Sequence, residues 1–307
     1  MKWVVFAAIA CVTVLLVLTA YNCNISDKKA IKLAEAFYNK MGIVYTSQPF
    51  IERYSVRRLF LYGLNSKVVV VGESLKNSIS TFVNCNDSRV IYFKNEKALF
   101  SAQEKHTVKV DNRYFLQWPA FITEERAKDI VLSLAKRIGI PNDFEFSVMH
   151  LDKDQGIWSG RWKRKYKGIE FESDSIVINI MAIDGELYGF TEWIKGEPCP
   201  TEAKVSKERA IEVASKTFSD SFDKDIWEKN KDKFEVKNCE LKIVQTIPFW
   251  QRILSLNGRS NLAWIVTFST KEGMERETVG ILNKDKSYIK VDAATKKILS
   301  SDINVVP

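Results

Sequence analysis

The chain has 307 residues, 46% of them hydrophobic and 27% charged, and this balance excludes an intrinsically disordered protein. The formal net charge of +8 favours anionic partners but does not distinguish lipids, wall polymers and nucleic acids. Only two histidines are present, His106 and His150, which restricts the usual acid–base and zinc chemistries.

The N-terminal segment, residues 1–24, is predicted to be a transmembrane signal-anchor. Lys2 precedes an unbroken apolar run from Trp3 to Tyr21. As a helix, its 19 residues (21 − 3 + 1) would extend about 28 Å, close to the ~30 Å hydrocarbon core of a bilayer. The preference of positive charge for the cytoplasmic side places everything after about residue 24 outside. We therefore expect a single-pass cell-membrane protein with an extracytoplasmic C-terminal part.

Cleavage of this segment is the alternative. A cleaved signal peptide has an apolar region of ~7–15 residues and small residues at both specificity positions before the cut. Ala20 could be the last residue removed, but Leu18 would occupy the other specificity position and is too large. The sequence therefore favours an uncleaved anchor, and secretion after cleavage stays the alternative localisation.

Three similar segments beyond the anchor each predict a capped amphipathic helix. They read SDKKAIKLAEAF from Ser26, TEERAKDIVLSLA from Thr123 and SKERAIEVASKTF from Ser206. Each opens with a hydroxyl side chain that can accept a hydrogen bond from the first helical turn. Apolar residues follow at helical spacing, which predicts one buried face. That face carries an alanine four positions after each cap: Ala30, Ala127 and Ala210.

The region from Trp158 to Lys167 predicts a strand with one buried face. Read with period two, its aromatic residues and Arg164 lie on one face, and its other basic residues lie on the opposite face. The candidate basic face comprises Arg161, Lys163, Lys165 and Lys167. A nucleic-acid platform would need aromatic and positive side chains on the same exposed face, so no nucleic-acid partner is predicted.

Tight polar turns recur along the chain. Asp184-Gly185 stands between two alternating apolar runs and predicts a hairpin, because both residues tolerate a positive φ. Corresponding turns are predicted at 86–88 and 292–296. The fold class is therefore α+β, with each of three repeats built from a helix packed on an antiparallel sheet. The predicted repeats are 25–118, 119–200 and 201–307.

The second repeat carries a distinctive order of motifs. They are W-x-x-x-W-x-R-x-Y-x-G-I, D-S-I-V-I-N-I and I-D-G-E-L, followed by a closing aromatic residue. The positions concerned are Trp158, Trp162, Arg164, Tyr166, Gly168, Ile169, Asp174, Asp184, Gly185 and Trp193. This order resembles the PepSY-like repeat of the YcdB/YcdC type. The third repeat resembles it at 263–268 and 290–299, although Lys296 replaces the usual turn glycine, and the first repeat is the most diverged.

The resemblance implies a secreted or membrane-anchored module without catalytic residues. PepSY domains occur in protease propeptides and envelope proteins, where they are thought to bind and restrain peptidases. The predicted partners are therefore the membrane, through the N-terminal helix, and a peptidase or other envelope protein. The positive charge adds an anionic envelope polymer to these candidates.

The sequence lacks the common catalytic and ligand-binding motifs, since it contains no H-E-x-x-H, G-x-S-x-G, G-x-x-x-x-G-K or C-x-x-C. The segment 152–156 begins like a calcium loop, but Gly156 falls at the third ligand position and Lys163 where the closing glutamate belongs. We therefore predict no catalytic, cofactor-binding or metal-ligating residue. An extracytoplasmic hydrolase with a site assembled from distant residues is the alternative.

Five cysteines leave the disulfide state open. Cys11 lies in the predicted membrane span, and the other four follow it. A bridge between Cys199 and Cys239 would close a loop of about 40 residues and contribute on the order of 3–4 kcal/mol in the chain-entropy treatment. Buried free thiols are favoured over this bridge, because Cys85 lies in a strand-end turn and has no obvious partner.

Overall fold

The computed structural model describes residues 25–45, 47–52, 66–72, 78–85, 87–111, 113–194, 196–246, 259–272, 274 and 286–303. The predicted signal-anchor at 1–24 lies outside these ranges. Within them, no helix combines the length and the apolar character required to cross a membrane.

The described residues form helices and mainly antiparallel strands, which confirms the predicted α+β class. The helices are α1 (Asp27–Met41), α2 (Glu96–Lys105), α3 (Glu124–Ile138), α4 (Lys207–Ser219) and α5 (Lys224–Asn230), with a 3-10 turn at Lys231–Lys233. The strands are β1 (Phe50–Ile51), β2 (Ser66–Val71), β3 (Ile79–Asn84), β4 (Val90–Asn95), β5 (Thr107–Val110), β6 (Arg113–Leu116), β7 (Phe144–Asp152), β8 (Ile157–Tyr166), β9 (Ile169–Met181), β10 (Leu187–Trp193), β11 (Phe234–Thr246), β12 (Arg259–Thr270), β13 (Lys286–Asp292) and β14 (Ile298–Asp302).

The chain folds into two compact units. The first comprises the described residues of Met1–Lys163 and of Asp174–Ile194. The second comprises those of Arg164–Ser173, Lys195–Pro248 and Asn257–Pro307. This division is coarser than the three predicted repeats, because the first two repeats fall largely in the first unit. The repeat boundaries at 25–118, 119–200 and 201–307 stay a prediction.

In the first unit, an antiparallel sheet has the strand order β1-β2-β3-β4-β10-β9. Strand β8 pairs with β9 and with β7, and β5 pairs with β6 in a separate two-stranded sheet. In the second unit, β11, β12, β13 and β14 are antiparallel neighbours in chain order. The start of β9 adds a parallel neighbour there, with Phe171 opposite Ile243.

The three predicted helix starts are confirmed. Ser26 accepts a hydrogen bond from the backbone N–H of Lys29 at 3.2 Å, which satisfies one of the free donors of the first turn of α1. Thr123 and Ser206 do the same for α3 and α4 at 3.3 and 3.2 Å. Helix α3 ends at Gly139, whose φ of 87° lies in the left-handed region that glycine adopts without strain.

The predicted apolar helix faces are buried against the sheets. Ala30, Ala127 and Ala210 are each 0% exposed, and so are the residues one turn later, Ala34, Val131 and Ala214. In the first unit these side chains share a core with sheet residues such as Phe93 and Ile178. In the second unit they pack with Val266 and Ile289. Small residues at these positions let each helix approach its sheet closely.

The three hairpin turns that were predicted from sequence share one hydrogen-bond pattern. They span 84–89, 181–186 and 292–297. In each six-residue turn, the N–H of the first residue donates to the carbonyl of the sixth residue at 2.8–2.9 Å. The N–H of the fifth residue donates to the carbonyl of the first residue at 2.9–3.1 Å. The fifth residue has a positive φ in all three: 58° at Ser88, 81° at Gly185 and 66° at Lys296.

Two of these turns are tied by backbone to the start of a helix. The N–H of Ile122, just before the α3 cap, donates to the carbonyl of Ala182 at 2.8 Å. The N–H of Val205, just before the α4 cap, donates to Ala293 at 2.9 Å. The same relation in two places indicates a repeated helix-and-hairpin unit.

Two tryptophans extend this repetition. The indole N–H of Trp158 donates to the carbonyl of Ile122 at 3.2 Å, and that of Trp264 donates to Val205 at 2.9 Å. Each indole thereby satisfies a backbone acceptor at a helix start, and the Trp158 ring is buried whereas the Trp264 ring is half-buried. The tryptophans of the second and third predicted repeats therefore occupy equivalent positions.

Candidate binding cleft

The predicted basic face is only partly open to solvent. Arg161 is exposed on β8, whereas Lys163 and Lys165 are half-buried and neither is free of an interaction partner. Lys167 is exposed, but it lies in the turn between β8 and β9 with a φ of 49°, and not on the strand as predicted. Strand β8 ends at Tyr166, one residue before the predicted end, because Lys167 and Gly168 form a two-residue turn. This Lys-Gly pair is the sequence signal that was missed.

The possible bridge between Cys199 and Cys239 is not formed: both residues are free thiols, which is the alternative that the sequence favoured. Cys239 is buried under α4, whereas Cys199 is half-buried and packs on a different cluster that contains Ile243 and Leu262. Burial raises the pKa of both thiols. The cysteine that is disulfide-bonded is Cys85, for which the sequence suggested no partner, and its partner lies outside the described residues.

The calcium-like segment forms the turn between β7 and β8. The backbone N–H of Gln155 donates to the Asp152 carboxylate at 2.9 Å, and the Trp118 indole donates to the carbonyl of Asp154 at 3.2 Å. Gly156 has a φ of 66°, and its Cα faces the Trp118 ring. Among the described residues, no group of three or more His, Cys, Asp and Glu side chains could hold a metal ion.

The two histidines occupy unrelated places in the fold. His150 is exposed on β7, whereas His106 ends helix α2 with its ring centroid 6.0 Å from that of Trp118. Neither histidine was predicted to be functional. Among the described residues, no acidic side chain pairs with either of them.

A mainly apolar cleft of about 270 Å³ opens on the first unit. Its lining residues come from α1, from the end of α3 and the residues just after it, and from the sheet with the β3–β4 turn. We call it the Glu192 cleft. Its lining consists of Leu33, Ala36, Phe37, Lys40, Ser88, Arg89, Val90, Ile138, Gly139, Ile140, Pro141, Ile176, Phe190 and Glu192. Its polar groups are concentrated beside the β3–β4 turn.

A carboxylate lies at the inner end of this cleft. The Glu192 side chain, on β10, is only 7% exposed and forms an ion pair with the guanidinium of Arg89. Arg89 also donates from Nε to the Asp87 carboxylate at 2.7 Å, so one guanidinium serves two carboxylates. Burial raises the pKa of Glu192 from 4.5 to about 7, an effect that the charge of Arg89 opposes and that of Asp87 reinforces.

A second cleft of about 360 Å³ lies beside α2 and is more polar. Its lining includes Lys97, Lys105 and His106 along one side. Glu186 accepts a hydrogen bond from the Asn95 amide at 3.3 Å, and burial together with the nearby charge of Asp184 raises its pKa. Because ligand sites combine apolar walls with a few polar groups, we take the Glu192 cleft as the candidate site.

The Glu192 cleft was not predictable from sequence. Glu192 and Arg89 come from distant parts of the chain and meet because β10 pairs with β4, where Thr191 lies opposite Tyr92. Chemically, the cleft offers apolar surface, one carboxyl group that changes charge near neutral pH and one guanidinium. These groups can bind an apolar side chain and exchange hydrogen bonds with the backbone that carries it.

No protein-family model and no curated protein matches the chain. Among solved structures, the chain is similar to the Bacillus megaterium YpeB C-terminal domain, with 12% sequence identity and a TM-score of 0.45. The match covers 91% of this chain and 98% of that one. A superposition this loose transfers neither a ligand nor a role to this chain.

Proposed function

We propose that the protein is a membrane-anchored, extracytoplasmic and non-catalytic module that binds a segment of another envelope protein in the Glu192 cleft. A peptidase is the partner class that the PepSY-like motifs of the second repeat suggest. The observation that carries the proposal is the cleft itself, with apolar walls and a buried carboxylate, Glu192, that pairs with the exposed Arg89.

The dimensions of the cleft are compatible with part of a protein segment. Its volume of about 270 Å³ lies near the lower end of the roughly 300–1,000 Å³ that ligand pockets usually measure. A volume of this size accepts one or two apolar side chains. The remaining polar groups, Lys40, Ser88 and Arg89, lie in the lining where they can meet the backbone of a bound chain.

The state of Cys85 supports an extracytoplasmic location. Disulfides persist in oxidising compartments and are rare in the cytosol. Cys85 is disulfide-bonded and 2% exposed, which fits the outside orientation predicted from Lys2 and the apolar run that follows it. Two independent features of the chain thus favour the same side of the membrane.

The alternative, an extracytoplasmic hydrolase, has one observation in its favour. A carboxyl group with a pKa near 7 in a cleft is suited to general acid catalysis. However, Glu192 is engaged by Arg89, and Glu192 is the sole carboxylate in the described lining of the cleft. Glycoside hydrolysis requires a second carboxylate across the substrate, so we favour binding.

Site-specific crosslinking in the native membrane tests the proposal. A photoreactive amino acid in place of Ala36, an exposed residue of the cleft lining, should capture one protein. The matched control replaces Ala294, which is exposed in the β13–β14 turn of the second unit. Adding Lys40→Trp, at an exposed helix position of the lining, to the Ala36 variant should obstruct the cleft and abolish the capture. Equal capture from both positions, or capture unaffected by Lys40→Trp, would contradict a role for the cleft.

A further inference from the structure

The β5–β6 hairpin of the first unit is separate from the main sheet. Its four residue pairs run from Thr107 opposite Leu116 to Val110 opposite Arg113. The side chains of β6 are exposed along its whole length. Isolated two-stranded hairpins are only marginally stable in water, so this ribbon needs a further contact to stay ordered.

Large apolar side chains are exposed on both faces of the hairpin. Phe115 (50% exposed) lies opposite Val108 (41%) and shares a face with it. Tyr114 (72%) and Leu116 (40%) lie on the other face. A protein partner docked on one flat face would leave the other face in water. Immersion in the interfacial layer of a bilayer covers both faces.

The charges around the hairpin favour an anionic surface. Lys105, Lys109 and Arg113 are exposed there, against two exposed acids, Glu104 and Asp111, which leaves a formal excess of one positive charge (3 − 2). The Lys109 ammonium lies 5.7 Å from the centroid of the Tyr114 ring, so a cation and an aromatic ring sit on the same face. Tyrosine beside lysine and arginine is the composition that bilayer interfaces prefer.

The predicted anchor places the first unit within reach of a bilayer. The described structure begins at Ile25, four residues after Tyr21 ends the apolar run (25 − 21). Four residues span at most about 14 Å when fully extended. The first unit is therefore tethered close to the membrane if the proposed anchor is correct.

We propose that the β5–β6 hairpin is a membrane-contact element that lies in the headgroup layer of an anionic bilayer. Val108, Phe115, Tyr114 and Leu116 enter the interface, and Lys105, Lys109 and Arg113 pair with lipid phosphates. This contact rests on the proposed membrane anchoring, but it is independent of the ligand of the Glu192 cleft. It holds the first unit in a fixed relation to the bilayer.

Hydrogen exchange on the full chain in nanodiscs tests this contact. The discs contain either phosphatidylcholine alone or phosphatidylcholine with phosphatidylglycerol, and detergent micelles give the lipid-free reference. We expect exchange at residues 107–110 and 113–116 to slow by about tenfold in the anionic discs only. Retention of the chain on the discs reports the anchor separately, so failure of the anchor and failure of the hairpin contact give different results.

Two variants separate the contributions of apolar and charged side chains. Tyr114→Ser with Phe115→Ser removes an aromatic ring from each face, and Lys109→Glu with Arg113→Glu reverses the charge. Both should abolish the protection while exchange in β4 and β10 stays slow. Lys224→Glu with Lys229→Glu on α5, at two other exposed lysines, should have no effect. Equal protection in all three environments, or protection that appears only when a partner protein is added, would overturn the proposal.

Discussion

Glu192 is a buried carboxyl group of the first unit whose pKa is raised. It lies almost fully buried beside the apolar walls of a cleft, and its cationic partner, Arg89, is shared with Asp87. A carboxylate in such a place loses more hydration than one guanidinium returns, which is why its pKa is raised. The charge of the cleft therefore depends on pH near neutrality.

The first prediction concerns the pH dependence of stability. Because the pKa of Glu192 is raised from 4.5 to about 7 on folding, its contribution is fully present below about pH 4.5 and is lost as the pH rises through 7. The shift corresponds to about 3 kcal/mol at most, and solvent near Arg89 should reduce it to about 1–3 kcal/mol. Urea unfolding of the wild type and of Glu192→Gln at pH 5 and pH 8 measures it.

The variant should gain stability relative to the wild type between pH 5 and pH 8, since glutamine does not titrate. Glu228→Gln, at an exposed glutamate on α5, is the matched control and should show no such gain. If the difference between Glu192→Gln and the wild type is the same at both pH values, Glu192 does not titrate in this range.

A second prediction concerns the contact between Gly160 and α3. A Cβ at residue 160 would lie 2.4 Å from Cγ1 of Val131, which is fully buried. Gly160→Ala should therefore destabilise the protein by about 1–3 kcal/mol through overpacking. Val131→Ala removes the clashing methyl groups, so the double variant should be more stable than the two single effects added together. Strict additivity in urea melts would show that α3 does not press on β8 at this point.

The same hairpin turn recurs three times among the described secondary-structure elements. Its fifth position requires a left-handed backbone, which is free of strain for Gly185 but not for Lys296. Lys296→Gly should therefore stabilise the protein by about 0.5–1 kcal/mol, measured by urea unfolding. Lys297→Gly, at the next exposed residue, has no positive φ to relieve and should be neutral or destabilising. The opposite order of the two variants would contradict the turn geometry.

Local signals were sufficient to predict these elements. The caps at Ser26, Thr123 and Ser206, and the turn at Gly185, depend on hydrogen bonds and backbone preferences within a few residues. The turn at Lys167 was missed because lysine seldom adopts a positive φ, so the alternating pattern was extended through it.

Features that join distant strands were not predictable in this way. The pairing of Glu192 with Arg89 follows from the neighbouring positions of β10 and β4, and the parallel contact of Phe171 with Ile243 follows from strand order. A single sequence states which residues can form a strand but not which strands become neighbours. The candidate cleft therefore had to come from the structure.

At the scale of the whole molecule, the cysteines report the compartment in which the chain folds. Alkylation of the unfolded, unreduced protein, followed by peptide mass mapping, should modify Cys199 and Cys239 and leave Cys85 unmodified. After reduction, Cys85 should become alkylated as well. Alkylation of Cys85 without reductant would contradict the disulfide and remove one support for the extracytoplasmic location.

The proposed function depends on the binding of a protein partner in the Glu192 cleft. The most direct measurement is the affinity of the protein captured at position 36 for the full chain and for two tryptophan variants, by calorimetric titration. Ala36→Trp partly fills the cleft and should weaken binding by about tenfold or more, equivalent to about 1.4 kcal/mol. Ala294→Trp should leave the affinity unchanged. Equal affinity of Ala36→Trp and the wild type would contradict the claim.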